Sequence, residues 1–399
     1  MELVSIHTQP SPDYPSNTRV TGTVRSAEGT EIPIWFEVPN DLQHDISKSG
    51  NPWLLCMLLH ALKHNEPISI NLPVDAALVE NIKGLLLESS VHSSYKSNIE
   101  IRAPLTPCKE RARGITASFF SGGIDSFFTA ARNNPEADPL AVGNVDELIY
   151  VHGFDIPVDN KKELERMKEL LTPAASTLNR KLTIIRTNLR APGSLWATAW
   201  GKLSHGVALA VIGHLLENRY DKILIGSTHP YGKLIPWGSN PLTDPLLSSS
   251  ALTVKHDGAM YNRVEKTKYL AKHLSLLKNL HVCYNESSAD NCGVCQKCVR
   301  TLATLELLGM QSNGLPFREK FNFNRVRKTF LADKNDIGFF IEIYEAAKRE
   351  GKSELSSATL RAIVKSKATI PIVRLVDIAR RQPGLWRIGG IIRNTLINL

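Results

Sequence analysis

The sequence predicts an α/β protein built on a doubly wound, mainly parallel β-sheet with helices on both faces. Three observations support this fold class. Strand-like and helix-like segments alternate from Gly114 onward, which is the order of βαβ units. A turn rich in glycine and serine directly follows the first of these strands, at the end of a strand where such sheets bind ligands. With 42% hydrophobic and 22% charged residues, the composition is that of a globular protein.

The chain of 399 residues is long enough for two or three domains. Changes in pattern divide it into a small α/β domain (1–108), a central α/β domain (114–312) and a helical region (315–399). No apolar run reaches the roughly 18 residues that span a bilayer. Met1–Pro10 also lacks the basic start and apolar stretch of a signal peptide. We therefore expect a cytoplasmic protein with no membrane segment.

In the first part, alternating apolar residues on both sides of the turn Ser26–Gly29 predict a β-hairpin. Further apolar runs at strand or helix spacing follow it. The predicted elements are strands at Thr18–Arg25, Glu31–Val38, Pro67–Asn71 and Asn98–Arg102 and helices at Trp53–Leu62 and Asp75–Glu88. The polar, proline-containing stretch Ala103–Arg113 is typical of a linker.

In the central part, short apolar runs alternate with longer segments of helical spacing. The predicted strands are Ile115–Phe120, Glu147–His152, Leu182–Thr187 and Lys222–Gly226, and the predicted helices are Ser126–Asn133, Lys161–Leu178 and Ala199–Glu217. This order predicts parallel strands joined by helical crossovers.

Towards the end of the chain, the spacing of apolar residues is helical throughout. The predicted helices are Val299–Leu308, Phe321–Leu331, Gly338–Glu350, Leu355–Lys365 and Ile372–Arg381, with Gly351 and Pro383 as helix stops. We expect the last four to form a small bundle.

The formal net charge of +9 is confined to residues 315–399. That region contains 17 Lys and Arg residues against eight Asp and Glu, whereas residues 1–314 contain 31 of each kind. A solvated helical surface explains the excess, and a surface for an acidic partner is the alternative. Because no nucleic-acid-binding motif or basic stripe with interleaved aromatic residues is present, we expect a protein partner and not nucleic acid.

The turn Ser121–Ser126 has the features of a phosphate-binding loop. It reads Ser-Gly-Gly-Ile-Asp-Ser and stands between a predicted strand and a predicted helix. Its two glycines allow a tight turn and close approach of a phosphate, and the helix start directs N–H groups at an anion. The two serines add hydroxyl donors, and Asp125 is suited to holding loop N–H groups or positioning magnesium. The alternative is a plain strand-to-helix turn.

A Walker-type loop is excluded elsewhere in the chain. Gly226–Leu234 has one residue too many between its glycines and a leucine where serine or threonine is required.

Four of the six cysteines, Cys283, Cys292, Cys295 and Cys298, lie within 16 positions, whereas Cys56 and Cys108 are isolated. Four thiolates at this spacing suit tetrahedral Zn²⁺, and a site with four protein ligands is structural because it leaves no position for a substrate. The alternatives are two disulfides, an iron–sulfur cluster or free thiols.

The loop resembles the signature of the PP-loop ATP pyrophosphatase superfamily, S-G-G-x-D-S. Combined with C-x8-C-x2-C-x2-C, which ends here in Cys298-Val-Arg300, it resembles the 7-cyano-7-deazaguanine synthases over about Ile115–Gly309. The resemblance implies a loop that binds ATP with Mg²⁺, cleavage between the α- and β-phosphates, and zinc on the four cysteines. It also implies activation of 7-carboxy-7-deazaguanine as an adenylate, which ammonia converts through an amide to a nitrile.

The chain departs from these synthases in three ways. It has a long segment before the loop and a basic helical region at the end, and Ser227–Leu246 stands where the synthases carry Asp-x-Ser-Gly-Tyr-Pro-Asp-Cys-Arg. These features leave the final product open. They are similar to the enlarged synthase-like proteins of bacterial anti-phage defence operons, including the Qat type, in which a partner protein receives the activated deazapurine.

We therefore expect a PP-loop ligase or synthase that adenylates a deazapurine carboxylate and transfers it to an amine, with a protein partner from a defence operon. One alternative is a nucleotide-binding scaffold of a defence complex. Another is an RNA-thiolating PP-loop enzyme, which needs a persulfide-carrying cysteine and has only Cys56 and Cys108 for that role.

The candidate site residues combine the motif and the resemblance with polar residues that follow predicted strands. Predicted catalytic residues are Asp125 and Lys266, although Lys266 could equally form a solvated pair with Glu265. His205, inside a predicted helix, is typical of a core or surface histidine. Predicted ATP-binding residues are Ser121, Gly122, Gly123, Ile124, Asp125, Ser126 and Asp155, and predicted substrate-binding residues are His152, His229 and Asp244.

Overall fold

The computed structural model describes residues 1–92, 98–108, 114–283, 290–310 and 314–379, with the backbone alone for residues 89–92 and 379. The chain divides into two compact units, Met1–Tyr261 and Asn262–Leu399. The boundaries predicted near residues 108–114 and 312–315 fall inside these units and stay predictions.

The first unit is an α/β structure with a large, mostly parallel central sheet. Its described strands are β1 Glu2–Pro10, β2 Asn17–Arg25, β3 Glu31–Pro39, β4 Ile68–Ser69, β5 Val74–Asp75, β6 Ile101–Arg102, β7 Leu105–Thr106, β8 Ile115–Phe119, β9 Glu147–His152, β10 Lys181–Thr187, β11 Tyr220–Gly226 and β12 Thr253–Asp257. Its described helices are α1 Asn51–His64, α2 Ala76–His92, α3 Ile124–Arg132, α4 Lys161–Thr177, α5 Leu195–Thr198 and α6 His205–Leu215, with a π-helical turn at Trp200–Ser204.

Ten of the described strands form one sheet in the order β12-β11-β8-β9-β10-β3-β2-β1-β4-β6. Strands β8 to β12 are all parallel. Counted along the chain from β8, they lie in the order 3-2-1-4-5 from β10 to β12, which is the order of a doubly wound fold. The predicted α/β class is therefore confirmed.

The segment predicted as an N-terminal α/β domain continues this same sheet. Strand β3 pairs antiparallel with β10, with Phe36 opposite Thr187 and Glu37 opposite Arg186. The predicted hairpin is present, since β2 and β3 pair along their whole length and the Gly29 N–H closes the turn on the Ser26 carbonyl at 3.0 Å.

A buried charge cluster lies where β3 meets β10. Glu37 is completely buried and pairs with Arg186. Its other oxygen accepts hydrogen bonds from Arg19 at 2.8 Å and from Ser11 at 2.6 Å. Because a buried carboxylate is tolerated only when donors surround it, this cluster specifies which strand joins the edge of the parallel sheet.

The second unit, in its described part, is helical. Its helices are α7 Arg263–Leu270, α8 Leu274–Leu277, α9 Gln296–Leu307, α10 Phe323–Lys328, α11 Lys334–Arg349 and α12 Ser353–Ala379. Apolar side chains of α9, α10, α11 and α12 share one buried cluster, as expected for the predicted bundle. Gly351, with φ of 69°, separates α11 from α12 as predicted.

Several predicted elements are wrong in detail. The two helices predicted over Leu355–Lys365 and Ile372–Arg381 are a single helix, α12, which continues through Pro371. Ile363 and Val373, on either side of the proline, are both buried, but Ile372, Leu375 and Ile378 are exposed. Packing therefore does not account for the helix beyond Pro371. The predicted helix Ala199–Glu217 begins instead with the π-helical turn, and α6 itself starts at His205.

Four of the described strands were not predicted. Two of them, β5 and β7, are only two residues long and pair with each other, β7 within the predicted linker Ala103–Arg113. Strand β1 has an exposed, largely polar sequence, and edge strand β12 (Thr-Val-Lys-His-Asp) contains one apolar residue; neither shows the alternation that marks a strand. Arg381 and Pro383 lie outside the described residues. Among the described helices, none has the length and apolarity needed to cross a membrane.

The Glu37→Gln substitution should lower the free energy of unfolding by about 3–5 kcal/mol, because it leaves the buried Arg186 without its charge partner. The matched control is Asp41→Asn, since Asp41 also pairs with a β10 residue, Lys181, at 2.7 Å, but both side chains are exposed. That change should cost at most about 1 kcal/mol. Urea unfolding followed by circular dichroism measures both losses, and equal losses would contradict the importance of the buried cluster.

Candidate functional site

The Ser121–Ser126 turn lies at the carboxyl end of β8, in the middle of the parallel strands. Strand β8 pairs with β9 on one side and with β11 on the other. The chain proceeds from β8 to β9 and β10 and returns to β11 only afterwards. The connections therefore diverge at this point, and in doubly wound sheets such a switch point is where ligands bind.

The backbone of this turn depends on its glycines. Gly122 has φ of +86°, a conformation that side chains disfavour. Gly123 is the N-cap of α3 and supplies no capping side chain, so the helix start presents N–H groups of the kind that bind anions. The Ser126 hydroxyl donates to the Gly123 carbonyl at 2.9 Å. This hydroxyl therefore supports the turn, and its hydrogen is not directed at a ligand in this structure.

Asp125 lies beside the end of β11. A Cβ atom on Gly226 would stand 2.9 Å from the backbone oxygen of Asp125 and 3.2 Å from Thr129 Oγ1. Only glycine allows β11 to end this close to the first turn of α3. The next residue, Ser227, donates its N–H to the Asp257 carbonyl at 2.7 Å, so the ends of β11 and β12 are joined.

His152 is the last residue of β9 and Asp155 follows the strand, and the two lie in different environments. His152 is completely buried, and its Nε2 lies 3.2 Å from the Val158 carbonyl. Burial and the nearby Arg186 lower the pKa of His152 to about 4, so the ring is neutral near pH 7. Asp155 is exposed at the same edge of the sheet. Substrate and ATP contacts for these two residues stay predictions.

The loop after β11 carries the other two candidates, His229 and Asp244. The His229 ring lies 6.1 Å from the Trp237 ring in an edge-to-face arrangement. Trp237 in turn packs on the π-helical turn, since a Cβ on Gly201 would be 3.0 Å from its ring. The Gly238 N–H donates to the Gly201 carbonyl at 3.0 Å. The loop Ser227–Leu246 is thus held against the π-helical turn that precedes α6.

Asp244 meets two histidines that the sequence did not single out as site residues. Its Oδ2 accepts hydrogen bonds from His256 Nδ1 and from the Ser239 hydroxyl, both at 2.7 Å. Burial lowers the pKa of His205, whereas the negative charges of Asp244 and Asp155 oppose this shift. His205 is half-buried at the first residue of α6, and its assignment as a core or surface histidine stays a prediction.

His256 was missed because β12 was missed. The available signal was the short apolar run Ala251–Val254 followed by His256, Asp257 and a glycine, which is typical of a strand ending in polar residues.

Lys266 lies in α7 of the second unit and is only 1% exposed. The alternative of a solvated pair with Glu265 is therefore wrong. Glu265 instead forms a capping box with Asn262, whose backbone N–H it accepts at 2.8 Å. A phosphate contact for Lys266 stays a prediction.

The four clustered cysteines form a site of metal-binding size. Their sulfur atoms all lie within 4.8 Å of one another, with 3.8 Å from Cys283 to Cys295 and 3.9 Å from Cys292 to Cys298. A tetrahedron with Zn–S bonds of about 2.3 Å has sulfur–sulfur edges of about 3.8 Å. None of these four cysteines forms a disulfide, so the two-disulfide alternative is wrong for this structure. The cluster could hold a metal ion such as zinc.

The local backbone supports this arrangement. The Cys295 N–H points at Cys292 Sγ at 3.2 Å, and the Cys298 N–H points at Cys295 Sγ at 3.5 Å. Gly293 has φ of +75°, and a Cβ there would be 2.2 Å from the Glu319 carbonyl oxygen. The backbone thus supplies hydrogen bonds that favour thiolates, the form that binds metal.

The remaining two cysteines differ in accessibility. Cys56 is completely buried in α1, and burial raises the pKa of its thiol, which makes it unsuited to carry a persulfide. Cys108 is exposed.

No family model, no curated protein and no solved structure matches this chain. The resemblance to the PP-loop superfamily thus depends on the motif residues themselves and stays a prediction.

The freshly purified protein should contain about one zinc ion per chain, measured by inductively coupled plasma mass spectrometry. Cys295→Ser should reduce the zinc content to well below half and lower the melting temperature, because a structural metal contributes folding free energy. Cys108→Ser, which changes an exposed cysteine outside the cluster, is the control and should retain the metal. The assignment would be contradicted if the wild-type protein contained no zinc and its melting temperature did not change when a chelator was added.

Proposed function

We propose that this protein is an ATP-dependent enzyme of the PP-loop type that adenylates a carboxylate and transfers it to an amine. The observation that carries the proposal is the place of the Ser121–Ser126 string. It stands at the turn from β8 into α3, at the switch point of a 3-2-1-4-5 sheet. A glycine turn at a helix start in this position suits the phosphates of a nucleotide.

The carboxylate that we propose is 7-carboxy-7-deazaguanine. Its support is the combination of the loop with four clustered cysteines, which is the pattern that the deazaguanine synthases share with this chain. The altered loop Ser227–Leu246, held against the π-helical turn by Gly238, leaves the acceptor amine open between ammonia and an amine of a protein. A protein partner from a defence operon, docked on the basic helical region, fits the second of these.

The reaction proceeds in two steps. A carboxylate oxygen of the substrate attacks the α-phosphorus of ATP, and pyrophosphate leaves. The amine nitrogen then attacks the carbonyl carbon of the adenylate, and AMP leaves with the electrons of the broken C–O bond. The loop contributes orientation and N–H groups that neutralise the spreading phosphate charge.

Two groups from outside the chain fit these residues. The Asp125 carboxylate, in the first turn of α3, is a hard oxygen ligand of the kind that magnesium prefers. Mg²⁺ supplies further neutralisation of phosphate charge when bound. Zinc on the four cysteines has a structural role, because four protein ligands leave no position for a substrate.

Of the alternative functions, RNA thiolation is less well supported, because Cys56, one of its two candidate persulfide carriers, is completely buried. A scaffold that binds ATP without turnover is distinguished by the following assays.

Gly226→Ala should weaken ATP binding by about tenfold or more, because the added Cβ forces the end of β11 away from the backbone of Asp125. Gly232→Ala is the matched control, since a Cβ there meets no atom within 4 Å. Isothermal titration calorimetry with a non-hydrolysable ATP analogue measures both affinities. Unchanged binding in Gly226→Ala would place the nucleotide elsewhere.

Asp125→Ala should reduce pyrophosphate release by about 100-fold or more in the presence of ATP, Mg²⁺ and 7-carboxy-7-deazaguanine, because it removes a group at the phosphates. The control is Asp146→Asn, at the opposite edge of the sheet, where Asp146 accepts the Thr116 N–H at 2.8 Å. A coupled pyrophosphate assay follows the reaction. ATP binding without acid-dependent pyrophosphate release in the wild type would favour the scaffold.

A further inference from the structure

Asp244 is a buried carboxylate that is only half satisfied. It is completely buried, and Oδ2 accepts from both His256 and Ser239. Its Oδ1 is also buried and accepts no hydrogen bond from any described residue. A buried acceptor without a donor costs about 1–3 kcal/mol, and more when it is charged. The two bonds to Oδ2 therefore hold the side chain in one position.

Close backbone contacts position Oδ1 at the start of α6. A Cβ on Gly206 would stand 2.4 Å from it and 2.9 Å from the Gly238 carbonyl. The Gly206 N–H is already bonded to the Gly238 carbonyl at 2.6 Å, so it does not serve the carboxylate. Only glycine fits at this position, because a side chain would collide with Oδ1, so the start of α6 packs directly against the carboxylate.

Aromatic rings pack together at the start of α6. The Trp200 ring lies 4.9 Å from the His205 ring and 5.0 Å from the Phe154 ring. Trp200 belongs to the π-helical turn, an irregularity that is frequent at functional sites.

The hydrogen bond from His256 Nδ1 to Asp244 determines the chemistry of the ring. With its proton on Nδ1, the neutral imidazole has its lone pair on Nε2, which can accept a proton. Nε2 makes no hydrogen bond to any residue that the structure describes. His256 is therefore arranged as a proton acceptor.

A second buried histidine–carboxylate pair in this unit shows what a purely structural pair looks like. His214 Nδ1 lies 3.0 Å from Glu217, and its Nε2 lies 2.8 Å from the Leu247 carbonyl, so both ring nitrogens are bonded. Glu217 also accepts from Ser47 and Ser49 at 2.6 Å. Nothing in that cluster is left for a ligand, in contrast to Asp244 and His256.

We propose that His256, held in position by the buried carboxylate of Asp244, removes a proton from the incoming amine before the amine attacks the adenylate. This inference rests on the proposed function and names the place of its second substrate. His256 lies beside Asp257, whose carbonyl is joined to the end of β11 at Ser227, so the amine site and the phosphate loop share one edge of the sheet.

The proton balance of this step is complete. The ammonium transfers one proton to His256 Nε2 and becomes a neutral amine with a free lone pair. The nitrogen forms the new C–N bond with the carbonyl carbon, and the C–O bond to AMP breaks. The nitrogen then loses its second excess proton to water, and His256 releases its own.

Charged groups on neighbouring elements affect this proton transfer. Burial lowers the pKa of His205, the charges of Asp244 and of Asp155 after β9 raise it, and Arg190 after β10 and His256 lower it. The Arg190 guanidinium lies over the Trp200 ring at 4.5 Å and donates to the Phe154 carbonyl.

The test compares two nucleophiles in the full-length protein with ATP, Mg²⁺ and 7-carboxy-7-deazaguanine. Ammonium must lose a proton before it attacks, whereas hydroxylamine is mostly unprotonated at neutral pH. Liquid chromatography and mass spectrometry measure the amide and the hydroxamate. His256→Asn retains a donor at the place of Nδ1 and lacks Nε2, so it should lower the ratio of amide to hydroxamate about 100-fold or more. The amide should recover as the pH rises, because free ammonia then forms without a base.

The matched control is His214→Asn, which changes the structural pair and should leave the ratio as in the wild type. Because the ratio is measured within one sample, it does not depend on the fraction of folded protein. An unchanged ratio in His256→Asn, or a wild type that forms hydroxamate but no amide, would overturn the amine site while the adenylation stands. A wild type that forms neither product would overturn the proposed function and the amine site with it.

Discussion

The candidate site depends on the parallel pairing of β8 between β9 and β11. Parallel neighbours cannot be joined by a tight turn, so each connection must cross the sheet. When the chain first extends the sheet from β8 towards β10 and then returns to add β11, the connections on either side of β8 separate at its carboxyl end. The Ser121–Ser126 turn occupies this gap, and the ends of β9, β11 and β12 bring their polar residues to the same edge.

Close packing of backbone determines the detailed shape of this edge. Gly226 lets β11 end against Asp125, and Gly206 lets α6 begin against Asp244. At both places a methyl group would meet backbone or a buried carboxylate, so the chain would have to move. The positions of the phosphate-loop backbone and of Asp244 thus both depend on a glycine that packs directly against a neighbouring element.

The two compact units have different sources of order. The first has an extensive apolar core around its sheet, and its N-terminal strands are joined to the parallel strands through the charge cluster at Glu37. The described part of the second has a smaller helical core and four cysteines whose spacing matches a tetrahedral metal. A bound metal ion would stabilise the irregular backbone around Gly293, which lacks the regular hydrogen bonds of a helix or strand.

The sequence by itself determined the α/β class, the βαβ order from Ile115 to Gly226, the turn Ser121–Ser126 and the cysteine cluster, because each depends on local spacing along the chain. Tertiary structure decided what depends on distant partners. It joined β3 to β10 through Glu37 and Arg186, continued α12 through Pro371, and formed β12 from a segment with little strand signal. It also brought Asp244 to His256 and to the start of α6. Which residues surround a buried carboxylate depends on how loops pack against helices, and the spacing of residues along the chain carries no record of that packing.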